Sequence, residues 1–292
     1  MTQVFVTGAT GFIGQSVVKE LIEHDYEVLG LTRSEQGEQL LKKMGATPIW
    51  GDLQQRAQLV EAAQQADAVI HLAFNHDFST FLQNCEDDNQ LIQYFGQALK
   101  GTEKRLIVTS GCFYSGEETN FPKNGAVAHN PRVASDKSAL AIAKDGVNST
   151  IVGLPQIHDT HRFGLISWLI NIAQQKGKVG FIGDGQNFWA ATHRSDVARA
   201  YRLALENGQR GYKYMAVAEN DLPFYDIAQA IGKRLDLPVE QIADEEVSQF
   251  FGPMSELFKS DLTLDGQWSK DKLHWQPVGP SLFDDIAGAI IE

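Results

Sequence analysis

Hydrophobic and polar positions follow two periodicities in the first half of the chain. Short apolar runs rich in β-branched residues have the length of buried strands. The segments between them place apolar residues three or four positions apart, as on one face of a helix. The runs predict six strands, at 4–6, 27–31, 48–50, 68–73, 106–109 and 150–154. Two of the helices predicted between and after them lie at about 81–99 and 135–144.

This alternation of strands and helices predicts an α/β fold with a doubly wound parallel sheet, covered by helices on both faces. The alternation of strands and helices becomes less regular after Pro155. There an apolar helix near 165–170 is followed by the glycine-rich loop GFIGDGQNFW and by a helix at about 196–206. We therefore predict a Rossmann domain made of 1–155 and about 190–210. A smaller C-terminal substrate-binding domain would comprise about 156–189 and 211–292.

Composition narrows the classes of partner. The 292 residues are 43% hydrophobic and 21% charged, which is typical of a soluble globular protein. A net charge of −12 repels phosphate backbones and anionic lipids, so we expect no nucleic-acid and no membrane-surface partner. The first residues lack the pattern of a signal peptide, and no apolar stretch approaches the roughly 18 residues of a membrane span. We therefore expect a cytoplasmic protein in which Cys85 and Cys112 are reduced thiols.

The first strand is followed by TGATGFIG, residues 7–14, and then by a helix. In this setting Gly8 allows a tight turn, Gly11 lets a pyrophosphate approach the backbone, and Gly14 lets the helix pack closely on the sheet. The start of the helix presents free N–H groups and a positive dipole end to phosphates. The pattern predicts a dinucleotide site, to which the turn also contributes Thr10, Phe12 and Ile13.

The residues after the second strand indicate which dinucleotide is bound. An acidic residue at this position would bind the ribose hydroxyls of NAD, but the strand is followed by Arg33 and Ser34. A guanidinium group there can pair with a 2′-phosphate and stack on adenine, which favours NADP. Glu35 lies nearby and leaves NAD as an alternative.

With these residues placed, the chain resembles the extended branch of the short-chain dehydrogenase/reductase superfamily. The resemblance rests on residues 7–14, GDL at 51–53, HLA at 71–73 and SKDKLHWQP at 269–277. Residues 183–208 are further similar to atypical members of the NAD-dependent epimerase/dehydratase-like group. The resemblance implies further cofactor contacts. Asp52 and Leu53 would flank the adenine, and Leu72, Ala73 and Phe74 would line the ribose–phosphate side. Pro155 would lie near the nicotinamide.

The chain departs from that family at its catalytic residues. Members that transfer hydride carry Ser, Tyr and Lys, the last two spaced YxxxK, and the Lys lowers the Tyr pKa from about 10. In one register of residues 129–137, Arg132 replaces the Tyr and Asp136 replaces the Lys. In the other register Lys137 is in place and could contact the ribose, but Val133 replaces the Tyr. Neither register supplies a phenol.

Three other residues are candidates for binding the substrate oxygen or transferring the proton in place of the absent Tyr. Ser110 ends the fifth strand, where a hydroxyl can hydrogen-bond a substrate carbonyl, or it merely satisfies the strand end. Tyr114 could replace the lost proton donor, or it could be a pocket wall. His76 follows the fourth strand and titrates near neutrality, so it is an acid–base candidate or an ordinary loop histidine.

We therefore expect an NADP-preferring oxidoreductase acting on a small carbonyl or alcohol. The alternatives are a catalytically inactive NADP-binding sensor, motivated by the missing Tyr, and a sugar-nucleotide epimerase or dehydratase. We expect no metal, because His158 and His161 have no third ligand near them in sequence. The family often dimerises through helices that correspond to 81–99 and 135–144, so a homodimer is one option.

Overall fold

The computed structural model describes residues 1–111 and 131–290, which form twelve strands and twelve α-helices. The strands are β1 Gln3–Thr7, β2 Glu27–Thr32, β3 Thr47–Trp50, β4 Ala68–His71, β5 Arg105–Gly111, β6 Asn148–Leu154, β7 Gln156–His158, β8 Val179–Ile182, β9 Phe188–His193, β10 Lys213–Met215, β11 Glu219–Pro223 and β12 Val239–Ile242. The helices are α1 Phe12–Glu23, α2 Glu35–Met44, α3 Arg56–Gln65, α4 Phe81–Leu99, α5 Val133–Lys144, α6 Ile166–Lys176, α7 Arg194–Asn207, α8 Phe224–Leu235, α9 Val247–Phe251, α10 Ser255–Lys259, α11 Gln267–Leu273 and α12 Leu282–Ala287.

Seven strands of the described part form one parallel sheet, in the order β10-β6-β5-β4-β1-β2-β3. The chain builds β1, β2 and β3 outward in one direction and then returns to add β4, β5 and β6 on the other side of β1. Ligands of such sheets bind at the carboxyl ends of the strands where the order reverses, here β1 and β4. Residues that follow β1, β2, β4 and β5 therefore lie along one edge.

Helices cover both faces of this sheet, as the alternating pattern predicted. On one face α1 and α7 pack together, with Val17, Leu21 and Tyr201 in their shared core. On the other face α3, α4 and α5 bury Leu59, Phe95 and other apolar side chains against the strands. The predicted fold class, a doubly wound parallel Rossmann sheet, is confirmed, and the predicted helix at 81–99 is α4.

Two sequence expectations about the sheet were wrong in detail. The fourth strand ends at His71 and not at Ala73, because the next two N–H groups turn to donate to Thr7, one to its carbonyl and one to its Oγ1. The segment 211–292 also contributes to the main sheet, since β10 pairs with β6 at its edge. The sequence pattern missed β10 because three residues are too few to show a periodicity.

Most of the chain after β6 forms a second packed unit beside the sheet, whereas α11 packs on α7 and β10. A three-stranded sheet, β11-β9-β7, and a two-stranded sheet, β12-β8, surround an apolar core rich in aromatic rings such as Trp189, Phe224 and Phe258. The buried Asp196 at the start of α7 accepts hydrogen bonds from the N–H groups of Val278 and Gly279, at 3.0 and 2.7 Å, which holds the C-terminal segment to α7. None of the described helices is both long and apolar enough to cross a bilayer.

Candidate functional site

The glycine turn between β1 and α1 leaves space at one of its three glycines. Gly8 has a φ of +68°, and a Cβ there would lie 2.8 Å from the Ala73 nitrogen. A Cβ at Gly14 would lie 2.0 Å from the carbonyl oxygen of Gly8. Both glycines are therefore required by the packing of the chain itself. At Gly11 a Cβ would meet, among the described residues, only the Gly8 oxygen at 3.1 Å, so the space beyond it is open to a ligand.

The start of α1 fits an anionic group. Gly11 is its N-cap, and within the described part of the chain no side chain caps this end and no acidic residue lies in the first turn. The N–H groups of the first turn and the positive end of the helix dipole thus face the space beside Gly11. Ile13 packs into the core and Thr10 accepts a hydrogen bond from Gln15 through its carbonyl, so the turn is held in place.

The segment after β2 is packed beside the glycine turn. A Cβ at Gly37 would lie 2.1 Å from Thr32 Oγ1 and 3.0 Å from Thr10 Cγ2, so the first turn of α2 lies against residue 10. Ser34 Oγ accepts a hydrogen bond from the Gly37 N–H at 3.1 Å and caps α2. Arg33 is exposed immediately before this cap. Its guanidinium group is therefore available on the same edge as the glycines.

The chain after β3 lies at this edge as well. Asp52 Oδ1 accepts a hydrogen bond from the Gln54 N–H at 2.8 Å, which fixes the turn before α3. Leu53 packs against the core beneath α3 and α4. The roles predicted for these two residues at the adenine stay predictions.

The chain after β4 carries Leu72, Ala73 and Phe74 past Gly8. The guanidinium carbon of Arg132 lies 3.6 Å from the centre of the Phe74 ring, and His76 meets the same ring edge-to-face at 5.2 Å. Partial burial, followed by the positive charge of Arg132, lowers the pKa of His76. The structure therefore brings the predicted His76 together with Arg132, which replaces the family Tyr in one register.

Behind Arg132 lies a buried polar cluster that sequence reasoning did not find. Its members are Thr7, His71, Asp88, Arg132 and Ser135. His71 hydrogen-bonds Thr7 Oγ1 at 2.7 Å and Asp88 at 3.1 Å, and Asp88 also accepts from Ser135 Oγ at 2.5 Å and pairs with Arg132 at 3.3 Å. Burial alone would raise the pKa of Asp88, but the charge of Arg132 and the hydrogen bonds outweigh it and lower that pKa. Asp88 is thus an anchor for Arg132.

A second buried cluster surrounds Ser110. Lys213 Nζ donates to Ser110 Oγ at 3.0 Å and to Asp136 Oδ2 at 2.7 Å, and all three side chains are buried. Asp136 is the residue that takes the place of the family Lys in one register. The cation is therefore supplied by β10 and not by α5. The sequence signal for it was a single lysine at the start of the otherwise apolar segment KYMAVA, which the strand analysis did not use.

Other predicted residues lie apart from these clusters or outside the described residues. Lys137 is exposed on α5, and no contact within the described part of the chain joins it to Ser110. Pro155 lies between β6 and β7. Tyr114 and Cys112 fall in 112–130, outside the described residues. The buried His158 hydrogen-bonds Asp285 at 2.7 Å, and residues 1–111 and 131–290 contain no group of three or more His, Cys, Asp or Glu side chains arranged for a metal.

Comparison with known proteins agrees with the observed fold. The model of the NAD dependent epimerase/dehydratase family matches residues 4–217. An uncharacterized protein of Schizosaccharomyces pombe is 37% identical over 98% of both chains, and a decarboxylating sterol-4-alpha-carboxylate 3-dehydrogenase of Dictyostelium discoideum is 25% identical over 71% of this chain and 69% of its own. A dTDP-glucose 4,6-dehydratase from Streptomyces venezuelae, solved with NAD bound, shares the fold with a TM-score of 0.74 at 20% identity, over 98% of this chain and 95% of its own.

Proposed function

The chain belongs to the NAD dependent epimerase/dehydratase family, and from that premise we propose that it is an NAD(P)-dependent oxidoreductase that prefers NADP. Its substrate would be a small carbonyl or alcohol, bound between the carboxyl edge of the main sheet and the second unit. The observation that carries the proposal is the open space at Gly11 beside the uncapped start of α1, which fits a dinucleotide diphosphate.

The proposed cofactor site follows the edge of the sheet. The diphosphate would lie on the glycine turn, and the 2′-phosphate would pair with Arg33. The bound nicotinamide would supply the hydride acceptor or donor. The residues proposed to hold the cofactor are Gly8, Thr10, Gly11, Phe12, Ile13, Gly14, Arg33, Ser34, Asp52, Leu53, Leu72, Ala73, Phe74, Lys137 and Pro155.

Ser110 would bind the reacting oxygen of the substrate. Because Lys213 Nζ donates to Ser110 Oγ, the hydroxyl proton is left to donate elsewhere, and it now donates to the Gly111 carbonyl at 2.7 Å. A substrate oxygen could replace that acceptor. The positive charge of Lys213 polarises the hydroxyl and favours its donation to a developing oxyanion.

Proton transfer would fall to Tyr114, with His76 as the second candidate. The lowered pKa of His76 favours the neutral imidazole, which is better suited to accept a proton from an alcohol than to donate one to a carbonyl. Arg132, held by Asp88 and stacked on Phe74, places a fixed positive charge at the same edge. Such a charge stabilises a developing oxyanion without transferring a proton.

A catalytically inactive NADP-binding sensor is the second candidate. One observation favours it: Arg132, which replaces the family Tyr in one register, has its guanidinium engaged with Asp88 and Phe74. Purified protein titrated with NADPH and NADH, and then incubated with NADPH and a panel of aldehydes and ketones, separates the two. Turnover supports the oxidoreductase, tight binding without turnover supports the sensor, and no binding contradicts both.

We extend the proposal to a cytoplasmic location and to a homodimer formed through α4 and α5. These two helices pack side by side on one face of the sheet, and α4 exposes Leu82 and Tyr94. Sedimentation equilibrium of the wild type and of Leu82→Glu tests the dimer. A wild-type monomer would contradict it.

A further inference from the structure

Two arginines from distant segments converge on the first residue of α1. The guanidinium carbon of Arg162 lies 5.8 Å from the centre of the Phe12 ring, and that of Arg194 lies 5.3 Å from it. Arg162 belongs to the loop after β7, and Arg194 is the first residue of α7. Phe12 directly follows Gly11 and begins α1, so both cations lie over a side chain of the first turn of this helix.

A buried carboxylate holds this pair of arginines in position. Asp159 Oδ2 pairs with Arg194 Nε at 3.0 Å, while its other oxygen accepts the N–H groups of His161 and Arg162 at 2.7 and 2.8 Å. The Asp159 N–H in turn donates to the Arg162 carbonyl at 2.8 Å. Asp159 is only 4% exposed. The loop and α7 therefore share one anchor, which holds the Arg194 side chain and the backbone at Arg162.

The charges at this place favour an anion. Two guanidinium groups and one carboxylate leave a net positive charge, next to the positive end of α1, in a chain whose net charge is −12. Arg162 is exposed, and its side chain has no ion pair with any described residue. Guanidinium groups present several N–H donors in a planar fork that matches phosphate oxygens.

We propose that Arg162 and Arg194 form an anion clamp that binds the diphosphate of the dinucleotide from the side opposite the glycine turn. This rests on the proposed function, because it takes the dinucleotide as the ligand. The two arginines lie in segments that follow β7 and β9. Cofactor binding would therefore also order these segments, on the side where the substrate is proposed to bind. The same chemistry would suit a phosphate group on the substrate, and the experiment must distinguish the two sources.

The test titrates four ligands against the wild type, Arg162→Gln, Arg194→Lys and the double variant Arg162→Gln/Arg194→Gln. The ligands are NADPH, 2′-phospho-ADP-ribose, adenosine 2′-monophosphate and inorganic pyrophosphate. Arg210→Gln is the matched control, because Arg210 is exposed and lies before β10 at the opposite edge of the sheet. Thermal unfolding of every variant reports whether the fold is intact.

Arg162→Gln should weaken NADPH and 2′-phospho-ADP-ribose about tenfold, which is the effect of one charge-assisted hydrogen bond. The double variant should weaken both ligands further, Arg194→Lys should keep part of the affinity, and adenosine 2′-monophosphate should bind all variants equally. Unchanged NADPH affinity in a folded double variant overturns the clamp. Equal losses for adenosine 2′-monophosphate overturn it too, because that ligand has no diphosphate.

Titration with pyrophosphate distinguishes a failure of the clamp from a failure of the proposed function. Loss of pyrophosphate binding with unchanged NADPH binding would assign the arginines to a phosphorylated substrate and overturn the dinucleotide assignment. If the wild type binds neither NADPH nor 2′-phospho-ADP-ribose, the proposed function fails, and with it the clamp as a cofactor site. A tenfold loss confined to the diphosphate ligands, with Arg210→Gln unchanged, supports the clamp.

Discussion

The two halves of the candidate site are built in different ways. The half around the glycine turn uses backbone: Gly8, Gly11 and Gly14 lie within seven positions, the packing at Gly8 and Gly14 depends on the absence of side chains, and the space at Gly11 is open. The half around Ser110 uses buried side chains, and Lys213 is separated from Ser110 and Asp136 by 103 and 77 positions. The first half is therefore a property of a local segment, whereas the second exists only when two strands, β5 and β10, and one helix, α5, meet.

This difference determines how each half should respond to substitution. A backbone cradle fails when a side chain is added to it, and the loss can be confined to ligand binding. A buried ion pair fails when one partner is removed, because the remaining charge is left without compensation in a medium of low polarity. We therefore expect substitutions in the glycine turn to reduce ligand binding, and substitutions in the buried Lys213–Asp136 ion pair to reduce the free energy of unfolding.

The largest expected effect is from Lys213→Met. It leaves Asp136 buried and uncompensated, so the free energy of unfolding should fall by about 3–5 kcal/mol in urea titrations. Adding Asp136→Leu should restore most of that loss. The control is Lys178→Met, which breaks the exposed pair with Glu240 and should cost no more than about 1 kcal/mol. Equal costs for the two lysines would contradict the distinction.

Gly11→Val tests the half of the site around the glycine turn. The valine side chain would occupy the space beside α1, so calorimetry should detect no NADPH binding while the far-UV spectrum stays like that of the wild type. Gly14→Ala is the contrasting variant, since its Cβ would lie 2.0 Å from the Gly8 oxygen and should reduce the melting temperature. Undiminished NADPH binding by Gly11→Val would show that the glycine turn is not the phosphate cradle.

Ser110→Ala and Tyr114→Phe test the proposed roles of these two residues in binding and protonating the substrate oxygen. The assay uses whichever substrate is identified in the carbonyl panel. Losing a positioned hydrogen-bond donor or general acid typically costs about 10²-fold in rate. Each variant should lower kcat by that factor with little change in NADPH affinity. If Tyr114→Phe keeps more than about half of the wild-type kcat, the tyrosine is a pocket wall and His76→Gln becomes the decisive variant.

The smallest expected effect is from Arg33→Asp. Removing the cation and adding a carboxylate beside the ribose should weaken NADPH about tenfold and leave NADH equal or tighter. Fluorescence titration of both nucleotides against both proteins measures the ratio of affinities. Unchanged NADPH affinity would remove Arg33 from the site and leave the cofactor preference to other residues.

The order of strands and helices along the first half of the chain was determined by local pattern. Apolar runs between amphipathic segments were enough to predict the doubly wound sheet, and α4 begins and ends where the periodicity placed it. The tight turn at the glycines was also readable, because residue types at fixed spacing within one short segment specify it. The missing Tyr could be read in the same way, since neither register of residues 129–137 places a phenol.

Only the tertiary structure showed which polar groups surround the segment that lacks the Tyr. Arg132 is oriented by Asp88 from α4, and Ser110 by Lys213 from a three-residue strand at the far edge of the sheet. The convergence of Arg162 and Arg194 on Phe12 likewise depends on how the loop after β7 and α7 pack against α1. Sequence periodicity reports which face of an element is buried. It contains no information on which distant polar side chain that face will meet, because such contacts are set by the packing of whole elements.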